Sequence, residues 1–157
     1  MYLKNFKQLL TFTCLACLLQ STGVNAAGDA HHPHHFALAT GIAWYDSKNS
    51  AYLGADYVYS WENGWGIGGF YEEVDGDFDL QVIGLLFSHN FHNGWKLNFG
   101  PGIEHKLKKN KNLTLFRVQA GYDWHSGSWS WGPQLTADLI EDDNTTYSAG
   151  FSVGYGW

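Results

Sequence analysis

The sequence predicts an all-β chain closed into an eight-stranded antiparallel up-and-down transmembrane β-barrel. Three observations lead there. Large apolar residues alternate with small or polar ones in run after run, separated by turn signals every ten or so residues. One face of the runs is aromatic and aliphatic, whereas the other is glycine, serine and a few charges. Seven of the eight tryptophans flank alternate turns or end the last run.

The composition excludes several classes. At 157 residues the chain suits one domain. Aromatics reach 17% while charged residues are only 15%, well under the usual share of about 25%. With 19 glycines and 3 prolines, this is no disordered tail, charged helical bundle or collagen-like fibre. Nine basic against fifteen acidic residues give a net charge of −6, so no nucleic-acid partner is expected.

Lys4 and Lys7 precede an apolar stretch from Leu9 to Leu19 that is too short to span a bilayer. Val24-Asn25-Ala26 follows with small residues at the cleavage positions, so residues 1–26 read as a secretory signal peptide. Cleavage is expected after Ala26, with Ala27 the alternative. A lipobox ending at Ala16-Cys17 is disfavoured, because Cys14 replaces the upstream leucine and the apolar run continues past Cys17. Residues 27–35 form a His-rich leader and residues 36–157 the barrel. Both cysteines and two lysines leave with the signal. The remainder carries 7 basic and 15 acidic residues and no thiol, which excludes disulfide, thiolate and Cys–zinc chemistry.

The first run sets Phe36, Leu38, Thr40, Ile42 and Trp44 against Ala37, Ala39, Gly41 and Ala43. The second sets Leu53, Ala55, Tyr57 and Tyr59 against Gly54, Asp56, Val58 and Ser60. Asn63-Gly64 turns the chain into a third run, Trp65, Ile67 and Tyr71 against Gly66, Gly68 and Glu72. Asp75-Gly76 marks the next turn. In the fourth run, Phe78 to His89, Leu80, Val82 and Leu86 compete with Ile83, Leu85 and Phe87, and the facing stays open. After Asn93-Gly94 the fifth run sets Trp95, Leu97, Phe99, Pro101 and Ile103 against Lys96, Asn98, Gly100, Gly102 and Glu104. The sixth sets Phe116, Val118, Ala120, Tyr122 and Trp124 against Arg117, Gln119, Gly121 and Asp123. The seventh and eighth run from Trp129 to Leu139 and from Tyr147 to Trp157 in the same manner.

Eight strands enclose a lumen only wide enough for side chains, so the small, polar face fits inside and the aromatic face fits lipid. Closure removes the edges that hydrocarbon could not satisfy. Trp61, Trp65, Trp95, Trp124, Trp129, Trp131 and Trp157 then fall on one rim, as a girdle at a membrane–water interface.

In this organisation residues from about 36 to 157 resemble the small outer-membrane β-barrels of Gram-negative bacteria, of the OmpA-like transmembrane-domain type. The most specific element is the ending Phe151-Ser152-Val153-Gly154-Tyr155-Gly156-Trp157. The resemblance implies that this ending is an insertion signal read by the barrel-assembly machinery, although Ser152 stands where glycine is common. It also implies an outer-membrane location, the tryptophan rim on the periplasmic side, and contact with lipid and lipopolysaccharide. It carries no residue-level function, because such barrels include anchors, adhesins, channels and lipid A enzymes.

Four candidate constellations follow. His31, His32, His34 and His35 are dense enough to bind a transition metal, or are simply a solvated leader. Arg117, the one arginine, is expected to pair inside the lumen with Glu104 and with Asp56 or Glu72, forming an ion-pair plug. Lys106, Lys108, Lys109 and Lys111 make one loop basic enough to meet lipopolysaccharide phosphates. His125, Ser126 and Ser128 are the close His/Ser set that a lipid A deacylase would need, but they lie on the wrong rim for that substrate. The reading is a non-enzymatic, monomeric surface or scaffold barrel without a cofactor. A lipid A-modifying enzyme and a narrow solute channel are the alternatives.

Overall fold

The structure, a computed structural model, describes residues 32–46, 48–76, 78–141 and 143–157. The signal segment, most of the leader and His31 lie outside these. The strands are β1 His34–Tyr45, β2 Lys48–Ser60, β3 Trp65–Val74, β4 Leu80–Asn90, β5 Trp95–Lys106, β6 Lys111–Tyr122, β7 Trp129–Ile140 and β8 Thr146–Gly156. The short stretch Trp124–Ser126 continues β6 against β7 in unbroken register. Every neighbouring pair is antiparallel, and β1 pairs with both β2 and β8, so the sheet closes.

Following paired residues around the wall shows how the sheet is sheared. His34 faces Tyr59, then Ile67, Phe87, Phe99, Val118, Ala137 and Tyr147 in turn, and Tyr147 faces Trp44 back on β1. The path returns ten residues along β1, a stagger that tilts the strands by roughly 40°.

The turns follow from their residues. Gly64 and Gly94 sit at φ +82° and +88°, where a side chain would be strained. Asn63 and Asn93 accept from the backbone N–H of Trp65 and Trp95, at 3.2 and 3.4 Å. At the opposite rim the connections span only two to five residues, and the β5–β6 turn holds a short 3-10 helix, Leu107–Lys109.

The strands begin two residues earlier than the leader boundary expected at residue 36. His34 makes a two-way backbone pairing with Trp157 and stacks on its ring, so the last strand draws the leader into the sheet. The open facing of β4 is resolved: Ile83, Leu85 and Phe87 are exposed on the outer wall, and Leu80, Val82 and Leu86 are buried inside.

Candidate functional site

The inward residues are layered. Inward glycines lie beneath long side chains: Tyr52 crosses Gly41 and Gly150, the Phe70 ring covers Gly84 and Gly102, and Lys96 covers Gly121. A Cβ at Gly150 would stand 2.1 Å from the Tyr52 hydroxyl. Small and large positions therefore interdigitate, and side chains fill most of the lumen.

Arg117 lies at mid-lumen, 2% exposed. Its register partner on β7 is Asp138. The guanidinium makes a two-pronged contact there, Nε donating to Oδ1 and Nη2 to Oδ2, both at 2.7 Å. Its third nitrogen lies 3.1 Å from Glu72 Oε2 across the barrel, and the Phe70 ring packs against it at 4.1 Å. The plug is thus Arg117, Asp138 and Glu72. The expected Arg117–Glu104 pair is not formed, because the register sets Glu104 opposite Leu113, four residues from Arg117 along β6. Glu104 instead lies 3.4 Å from Lys106. Asp56 is not among the ion-pair partners of the arginine and feels it only at longer range, with Gln119 as its hydrogen-bonding neighbour.

Above this layer the lumen is mainly apolar, with the buried carboxylate of Glu104 set into it. Val74, Val82, Leu80, Leu113, Leu115 and Ile140 are buried together there. The polar inner face expected from the sequence is therefore only half the lumen. Phe70 and Val74 could have been found by carrying the alternation of β3 to its end.

At the far rim Lys106 is turned inward, two residues after Glu104 on the same face. Its Nζ donates to Asp143 at 2.6 Å and packs over the Tyr45 ring, and the Tyr45 hydroxyl donates to the same carboxylate. Hydrogen bonds from Lys106 and Tyr45 hold the Asp143 carboxyl, in the β7–β8 turn, well below the usual carboxylate range. Lys108 instead reaches the Gly76 carbonyl at 3.0 Å. Lys111 is exposed, and the side chain of Lys109 lies outside the description. Lys106 therefore serves the mouth and does not join Lys108 and Lys111 in one cationic patch. Beside it is a recess of about 250 Å³ between Tyr45, Phe78, Leu80 and Glu104.

At the tryptophan rim Lys96 pairs with Asp123 at 2.9 Å. The His cluster is divided by strand alternation. His34 faces outward, bonded to the Tyr57 hydroxyl at 2.8 Å, whereas His35 faces inward, its Nε2 2.8 Å from Ser130 Oγ. Neighbours on opposite faces of a strand cannot ligate one ion. Among the described residues no group of three or more His, Cys, Asp or Glu is placed to hold a metal. His32 Nε2 lies 3.5 Å from Ser128 Oγ, so the serines here meet leader histidines; no bond joins His125 to Ser126 or Ser128 among the described contacts. All seven rim tryptophans stand at this one end, and six of them are exposed.

Closed eight-strand topology with an apolar exterior can be compared directly with solved folds. The N-terminal β-barrel domain of Pseudomonas aeruginosa OprF superposes with a TM-score of 0.64 at 13% identity, over 78% of this chain and 97% of that one. The fold is that of a small outer-membrane β-barrel. Neisserial surface protein A matches with a TM-score of 0.54 at 10% identity, over 79% of this barrel and 96% of its own chain. Yersinia pestis Ail, the attachment invasion locus protein, matches with 0.52 at 13%, over 79% and 96%. No family model and no curated protein matches the sequence of the barrel.

Proposed function

We propose that the chain is a non-enzymatic integral protein of the bacterial outer membrane, a plugged barrel with a surface or scaffold role. The outer wall carries this reading. From the tryptophan rim to the far rim its large residues are apolar and exposed, and outward-facing charge among the described strand residues is limited to Glu73 near the far rim. At this tilt ten strand residues span about 25 Å along the axis, which matches the apolar band of such barrels. Soluble proteins bury such residues.

Two further features favour a wall over a pore or a loop-borne receptor. The Arg117 layer and the apolar layer above it fill successive sections of the lumen. The far-rim connections of two to five residues offer little surface for recognition. Expressed protein should partition to the outer membrane, migrate anomalously until boiled, and give no stepwise conductance in planar bilayers. Recovery as a detergent-free periplasmic protein would overturn the membrane reading, and steady conductance would overturn the plug.

A further inference from the structure

The lumen as a whole carries more acid than base. Among the described residues the inward carboxylates are Asp56, Glu72, Glu104, Asp123 and Asp138, and the buried or part-buried inward cations are Lys96, Lys106 and Arg117. Each cation is already committed. Arg117 serves Asp138 and Glu72, Lys96 serves Asp123, and Lys106 serves Glu104 and Asp143. Asp56 has the neutral amide of Gln119 as its hydrogen-bond donor. A carboxylate shut in a lumen either gains a counter-charge of its own or takes up a proton, and Arg117 and Lys96 reach Asp56 only at longer range.

The amides around it supply oxygen rather than charge. An ionised Asp56 can only accept, so Gln119 gives it Nε2 and turns Oε1 toward Asn98. Asn98 must then present Nδ2, which donates at 2.8 Å, and its Oδ1 is left buried without a hydrogen-bond partner. Gln134 is arranged likewise, with Nε2 on the Tyr52 hydroxyl at 3.3 Å and Oε1 buried and unpartnered. Asn98 and Gln134 are 4% and 5% exposed. With the stagger spread over eight strands, Asp56, Asn98 and Gln134 fall at one level along the barrel axis.

We propose that this level is a binding site for one sodium-sized alkali cation, held by the Asp56 carboxylate and the carboxamide oxygens of Asn98 and Gln134, with water completing its shell. Oxygen donors select hard cations. A single carboxylate among neutral oxygens suits one positive charge better than calcium, whose sites gather several carboxylates. Water alone would satisfy the two amide oxygens but not the surplus charge.

The test uses the folded barrel in detergent, melted in sodium chloride and in N-methyl-D-glucamine chloride at equal ionic strength. Sodium should raise the wild-type melting temperature by roughly 4 °C or more over the bulky cation, with a saturating dependence. Asp56→Asn should abolish that difference and, without sodium, should melt above the wild type because a stranded charge is gone. Asn98→Ala keeps the charge and should raise the sodium midpoint roughly threefold or more. Equal wild-type melting in both salts would overturn the proposal, as would a sodium effect that survives in Asp56→Asn or is unchanged in Asn98→Ala. A response to calcium chloride alone would overturn the monovalent assignment.

Discussion

Toward the far rim the lumen is filled by Val74, Val82, Leu113 and Leu115, while toward the tryptophan rim it is filled by Lys96, Asp123, His35, Ser130 and Asn98. Both halves are enclosed by the same glycine-rich wall, yet they are held by different forces. The upper half is mainly apolar around the one buried carboxylate of Glu104, so its stability rests largely on apolar burial and shape. The lower half rests on polar groups, several of which keep an acceptor without a protein partner. Arg117 stands at the boundary, and its surroundings combine the two: bidentate carboxylate on one side, an aromatic face on another.

The boundary residue should therefore show the largest effect. Arg117→Ala leaves Asp138 and Glu72 facing each other without a cation and should destabilise the barrel by about 3–5 kcal/mol. Urea unfolding in lipid vesicles measures this. A loss under 1 kcal/mol would mean that the layer is wet and the two halves are not separate. Replacing Arg117, Asp138 and Glu72 together by apolar residues of similar size should restore most of the loss, since no charge is then stranded.

Next comes the apolar half. Leu115→Ala removes a side chain that is 3% exposed and should cost about 2–4 kcal/mol, because a rigid barrel wall collapses little around the void. At the opposite end the Lys96–Asp123 pair stands near the mouth. With both side chains 9% exposed, a double-mutant cycle with Lys96→Met and Asp123→Asn should give a coupling of about 1–2 kcal/mol, still below the Leu115 loss. If the Lys96 cycle matched the Leu115 loss, the lower half would be as dry as the upper one and the contrast would fail.

The outer wall was legible in the sequence because lipid imposes a period of two on large residues, and nothing else competes for those positions. Phe36, Leu38 and Ile42, or Leu135 and Leu139, needed only to be counted. The inner face was legible in kind but not in pairing. Which carboxylate meets Arg117 depends on the register between β5, β6 and β7 and on a stagger that accumulates around the ring; neither is set by the spacing along one strand. Glu104 and Arg117 are joined by a single turn, but the turn places Glu104 two inward positions above the arginine. The β4 facing was hidden because both of its sides are apolar, as the upper lumen requires. The His cluster misled through adjacency, since consecutive strand residues diverge.

The smallest expected effect is at the far mouth, where the clasp of Tyr45, Lys106 and Asp143 closes the apolar half. The Asp143 carboxyl is held below its ordinary value by those two donors, so the folded state favours its ionised form. The sign follows from linkage. A depressed carboxyl stabilises the fold above its unfolded value, near pH 4, and that contribution drains away as pH falls below it toward the folded value. Because the group sits at the surface, solvent and salt weaken the contribution, so it should be slight. Asp143→Asn should melt slightly below the wild type at pH 7, and the gap should narrow between pH 5 and pH 3. Tyr45→Phe should shrink the gap at pH 7 by removing one donor while leaving Lys106 in place. Differences between variants isolate this carboxyl from the others that titrate in the same range. A gap that stayed constant down to pH 3 would show that Asp143 contributes through packing of the turn and not through its charge, and the clasp would then be a spacer and not an electrostatic closure.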